Sequence, residues 1–74
     1  MNLTLDLHGV KHKDVFICVD KFIGEHILIG NPEVHIITGH SDKMKELVNE
    51  VLGDYGLDGK PGFVDDTILH IKLV

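Results

Sequence analysis

The sequence predicts a two-layer α/β sandwich of order β-α-β-α-β(β), a mixed sheet with two helices on one face. Three observations predict it. Leu3, Leu5 and Leu7 alternate with Thr4, Asp6 and His8, the period of a half-buried strand. Apolar residues then recur at three-and-four spacing over two separate stretches, each closed by a glycine-containing break. Short apolar runs, the first rich in β-branched residues, follow each stretch, at Val34–Thr38 and Thr67–Val74.

The first strand covers Leu3 to Leu7. The first helix is expected from about Lys13 to about Leu28, with Val15, Phe16, Val19, Phe22, Ile23 and Ile27 on its buried face and His26 beside that stripe. Gly24 inside it costs about 1 kcal/mol relative to alanine. Gly30-Asn31-Pro32 ends the helix. Val34 to Thr38 reads as a central strand buried on both faces. Gly39-His40 turns the chain, and Ser41 is the expected N-cap of a second helix, with Asp42 in its first turn.

Met44, Leu47, Val48, Val51, Leu52 and Tyr55 mark the buried face of that second helix, and Gly53 and Gly56 surround its end. Leu57 to Asp66, with Gly59, Pro61 and Gly62, reads as turns with one short edge strand. Thr67 to Val74 is the last strand. Leu69, Ile71 and Leu73 share one of its faces, and Ile68, His70 and Lys72 the other. Crossover rules make the first two strands parallel and lay both helices on one side. Such a chain is too small for a sheet covered on both sides.

The 74 residues are read as one domain, 1–74, near the lower limit for a self-sufficient core. No apolar run approaches the ~20 residues of a membrane span, and no membrane partner is expected. The first residues lack the pattern of a secretory leader. Cys18 is alone, so no internal disulfide forms, which fits a reducing cytoplasm; a small apolar packing role is expected of it. Six histidines invite a metal, yet none has the spacing of a structural zinc set. No nucleotide-cradling loop or nucleophile elbow is present in the sequence.

The formal charge is −5, with seven lysines and no arginine. That balance opposes sequence-independent binding to nucleic acid through charge alone. The distribution is uneven, however. Lys11, His12, Lys13, Lys43 and Lys45 follow the two glycine turns, whereas Glu25, Glu50 and Asp54 fall late in the expected helices. One edge is expected to be locally basic.

The most informative run is Leu5-Asp6-Leu7-His8-Gly9. On an extended strand Asp6 and His8 point the same way, and Gly9 lets the backbone turn sharply. An acid and an imidazole side by side can form a general acid/base pair, a metal-ligand pair or a hydrogen-bonded clamp. An aspartate at a strand end also commonly caps the following loop. In the predicted topology the turns after both parallel strands open onto one edge, at both helix N-termini. Such an edge suits an anion, and a phosphodiester in particular.

Leu5-Asp6-Leu7-His8-Gly9 resembles the Leu-Asp-x-His-Gly signature of the small MutS-related (Smr) domain. Ile36-Ile37-Thr38-Gly39-His40-Ser41 resembles that family's second motif, a strand ending in Thr/His-Gly-x-Gly before a helix, with Ser41 where the second glycine usually stands. The element order agrees over essentially the whole chain. The resemblance implies a fold similar to the C-terminal domain of translation initiation factor three, and work on DNA or RNA, including nicking or RNA cleavage.

By the same resemblance, Asp6 and His8 correspond to the acid and histidine linked to cleavage, and Gly39 to a glycine linked to nucleic-acid contact. In the reading that follows, His8 serves as general acid/base or bonds the scissile phosphate. Asp6 orients it or ligates a divalent ion (magnesium or manganese). Gly9, Lys11, Lys13, Gly39, His40, Ser41 and Lys43 hold the backbone. One alternative is a non-catalytic module binding nucleic acid through the same edge. Another is a protein-interaction domain using the open sheet face at Thr4, His35, His70 and Lys72.

Overall fold

The computed structural model describes residues 3–62 and 64–73. The elements run β1 (Thr4–Asp6), α1 (His12–Ile29), β2 (Glu33–Ile37), α2 (Asp42–Asp54), β3 (Gly59–Pro61) and β4 (Ile68–Lys72). The sheet order is β1-β2-β4-β3, with β1 parallel to β2 and both other pairings antiparallel. This is the expected α/β class: a mixed sheet backed by two helices. Val74, placed at the end of the last strand by the sequence pattern, lies outside the described residues.

One apolar cluster joins the layers. Val15, Val19 and Ile23 of α1 meet Met44, Val48, Val51 and Leu52 of α2 over Val34, Ile36, Leu69 and Ile71 of the sheet. Each fully buried aliphatic side chain contributes roughly 1.5–3 kcal/mol. Leu7, just past β1, closes the cluster at 1% exposure.

Several burial expectations are corrected. β2 alternates between buried Val34 and Ile36 and half-buried Glu33, His35 and Ile37, because the helices cover only one face of the sheet. On α1, Phe16 and Ile27 are exposed, at 56% and 44%. The buried line is Val15, Val19, Ile23 and His26, since sheet and α2 cover α1 along a narrow strip.

His26 therefore belongs to the core instead of lying beside it. Its Nδ1 is 2.7 Å from Asn31 Nδ2, and its ring packs tilted against Phe22 at 4.5 Å. The Asn31 N–H donates to the His26 carbonyl at 3.1 Å, so one residue satisfies the histidine and ends the helix. Tyr55, expected on the buried face of α2, instead caps its end and is exposed, because its hydroxyl reaches out to donate to Asp20 Oδ1 at 2.7 Å.

The strand registers order the uncovered face in rows. Asp6, Ile37 and Ile68 form one row, Thr4, His35, His70 and Lys60 the next, and Glu33 and Lys72 a third. No helix among the described residues is long and apolar enough to cross a membrane.

Candidate nucleic-acid interface

The parallel pairing of β1 and β2 sets both glycine turns at one end of the sheet. The Leu7 N–H donates to the Ile37 carbonyl at 3.0 Å, so both chains leave the sheet side by side. Gly9 has φ +81° and Gly39 φ +69°, left-handed backbone that a side chain would strain. A Cβ built on either glycine would meet nothing within 4 Å, so both turns face open space.

The first turn differs from its sequence reading. β1 stops at Asp6, and His8 lies in the turn, not on the strand. Asp6 Oδ1 accepts the main-chain N–H of His8 at 2.8 Å. Among the described residues no hydrogen bond joins the two side chains. The carboxylate clamps the turn that carries the imidazole, the loop-capping role common to aspartate. Both side chains are exposed. No third His, Cys, Asp or Glu joins Asp6 and His8 in a metal-binding group among the described residues. The pair does not fit a preformed site for a divalent ion.

The helix starts are unlike one another. Ser41 caps α2, its Oγ accepting the Met44 N–H at 3.1 Å, as expected. Thr38 and Gly39 donate their N–H groups to the Thr67 carbonyl at 2.8 and 3.1 Å, so these donors are committed within the protein. The first turn commits the N–H groups of Leu7, His8 and Val10 in the same way. Lys11, however, begins α1 with extended backbone and no side-chain cap, and the Asp14 N–H bonds the Lys11 carbonyl at 2.9 Å. Lys11, Lys13 and Lys43 are exposed and make no ion pair among the described residues. Gly9, Val10, Lys11, Lys13, Asp14 and Ile17 line a surface groove beside the first turn, with half-buried Cys18 at its side.

An acidic loop missed by sequence reasoning reaches the same end. Because β4 runs antiparallel to β2, the residues before it arrive where β2 finishes. His40 Nδ1 is 3.5 Å from Asp66 Oδ1, and Lys45 Nζ 3.7 Å from Asp66 Oδ2. The Thr67 hydroxyl, then its N–H, hold the Asp65 carboxyl below the usual aspartate range, and the charge of nearby His40 acts in the same direction. The edge thus has a basic side at α1 and an acidic counterweight beside α2. Only the antiparallel return of the last strand signalled it.

Residues 5–60 match the Smr domain. The chain belongs to the Smr domain family. The matched span runs from the first motif into β3 and stops short of β4, so the acidic loop lies beyond it. No curated protein and no solved structure matches the chain, and the likeness to translation initiation factor three rests on the sequence resemblance alone. Smr domains generally bind nucleic acid, and some are nucleases. In this Smr domain Asp6, His8, Gly9, Lys11 and Lys13 lie along one continuous segment, from the end of β1 to the first turn of α1.

Proposed function

We propose that this Smr domain binds nucleic acid at the turn-bearing edge and cuts one strand there, as a DNA nick or an RNA cleavage. The observation that carries the reading is the start of α1, without a side-chain cap, at Lys11 and Lys13, which make no ion pair among the described residues, directly after the His8-Gly9 turn. The positive end of the helix and two cations favour a phosphate at that point, against the single opposing charge of Asp14 in the same turn. Main-chain donors are bonded within the protein at both turns, those of Leu7, His8, Val10 and Asp14 at the first and those of Thr38, Gly39 and Met44 at the second. What sets the second apart is the acidic loop beside it, with Asp66 close to His40 and Lys45. Gly39, His40, Ser41 and Lys43 therefore flank the nucleic-acid path, while the α1 side grips it.

In the cleavage step His8 takes the proton of the attacking oxygen as the new phosphorus–oxygen bond forms and the other ester oxygen departs. That attacking oxygen is the 2′-hydroxyl in RNA or a water in DNA. Asp6 acts through the backbone: by accepting the His8 N–H it fixes the turn, and so the position of the imidazole. It is a positioning residue.

The test is cleavage of supercoiled plasmid and of labelled single-stranded RNA by the wild type and His8→Ala. Loss of cutting in a folded His8→Ala protein supports the reading, and the preferred substrate identifies the nucleic acid. Equal cutting by both contradicts it. A second reading, binding without cleavage, is favoured by one observation: the Asp6 carboxylate bonds a main-chain N–H, and the imidazole has no acid partner among the described residues. That reading predicts salt-sensitive binding by a wild type that cuts neither substrate.

A further inference from the structure

Three metal-ligating side chains converge on the open face of the sheet, away from the turn-bearing edge. Glu33 and His35 are two residues apart on β2 and share that face, and His70 of β4 stands directly opposite His35. His35 Nε2 is 3.1 Å from Glu33 Oε2, and the two imidazole rings meet edge to face with centroids 4.6 Å apart. One ligand atom from each of the three lies within 4.8 Å of the others.

We propose that Glu33, His35 and His70 bind one divalent transition-metal ion of the zinc class. Two imidazoles and a carboxylate form an established donor set for such an ion, with a fourth position left open to solvent. Tetrahedral zinc with bonds of about 2.0–2.1 Å places its ligand atoms about 3.4 Å apart. The Glu33–His35 pair already stands near that separation. His70 is exposed, so a side-chain rotation closes the remaining gap. Strand pairing holds the three backbones in register, and the ion replaces the Glu33–His35 hydrogen bond with two bonds to metal.

The surroundings leave room for the ion to enter. Glu33 and His70 line a cavity of about 310 Å³ together with Lys60 and Lys72. The two lysines oppose a cation and moderate its affinity, and Asp58 on the same cavity wall offsets part of their charge. The site does not overlap the residues proposed to hold nucleic acid.

Titration of the whole chain with zinc chloride, followed by calorimetry and by the histidine ring resonances in NMR, tests this inference. One equivalent is expected to bind and to shift the rings of His35 and His70. His70→Ala and Glu33→Gln should each weaken binding at least tenfold while circular dichroism stays that of the wild type. His12→Ala, at an exposed position on α1, should change it less than twofold. Absence of saturable binding overturns the proposal. So does equal binding by wild type and His70→Ala, or a comparable loss in His12→Ala, which would mark an ion shared among scattered histidines.

Discussion

The Asp6 carboxylate, at the end of β1, accepts the main-chain N–H of His8 at 2.8 Å in the turn that leads into α1. This relationship separates two roles that a side-by-side acid and histidine would merge. Asp6 shapes the turn, and His8 is presented by it. Asparagine keeps an acceptor oxygen at this position, whereas alanine does not. Asp6→Asn is therefore expected to retain most of the wild-type cleavage rate. Asp6→Ala should lose about 1 kcal/mol of stability, the usual scale of one hydrogen bond, together with much of the activity. Chemical denaturation and the cleavage assay, run on both variants, check this. Equal loss of activity in the two would show that the carboxylate's charge matters, not its hydrogen bond.

Lys11, Lys13 and Lys43 carry no ion pair among the described residues, so neutralising a phosphate costs them no internal partner. Replacing Lys11 by alanine is expected to weaken single-strand binding and to reduce the salt slope of log K by about 0.7. Asp66→Asn should act in the opposite direction, because it releases Lys45 and His40 and removes a repulsive charge. Fluorescence anisotropy at several salt concentrations measures both. Unchanged slopes would place the binding elsewhere.

Gly24 sits inside α1, where a Cβ would make an ordinary 3.6 Å contact with the Tyr55 hydroxyl and would not clash. Gly24→Ala is expected to stabilise the protein by about 0.5–1 kcal/mol, since alanine restricts the unfolded chain and favours the helix. A thermal melt should show a rise of a few degrees. A fall would mean that Tyr55 and its bond to Asp20 were displaced.

Asp65 links the acidic loop to pH. Its carboxyl is held below the ordinary value of 3.8 by the Thr67 hydroxyl and N–H. A carboxyl whose folded value is depressed contributes stability above the unfolded value, and that contribution is lost as pH falls through the folded one. The wild type should therefore melt higher than Thr67→Val near neutrality, and the gap should narrow below about pH 3.8. Melting curves of the two proteins from pH 7 to pH 2 follow it. A gap independent of pH would assign the Thr67 effect to packing.

Much of this architecture was readable because local chemistry and global fold agree. Ser41 signalled its cap, Gly30-Asn31-Pro32 its helix end, and Leu5 and Leu7 the core side of the first strand, although Leu3 of the same alternation is exposed. What could not be read depended on which faces were covered. Phe16 and Ile27 satisfy the helical period as well as Val15 and Ile23 do, and only the narrow seat of α1 on sheet and α2 distinguishes them. His26 entered the core because Asn31, five residues on, supplies its partner. At the candidate site the motif residues were legible. The position of His8 was not, because β1 ends at Asp6 and the alternation of a strand stops with it. Asp65 and Asp66 lie far from either motif in sequence and come to the edge only through the pairing of β4 with β2.

The most direct test of the central claim is a ¹H–¹⁵N NMR titration of the protein with a short single-stranded RNA and its DNA counterpart at low salt. The proposed interface predicts the largest shifts at the amides of His8 to Asp14, with smaller ones at Gly39 and His40, fading as salt is raised. Shifts confined to the opposite end, around Glu33, Lys60 and Lys72, or none with either strand, would contradict it.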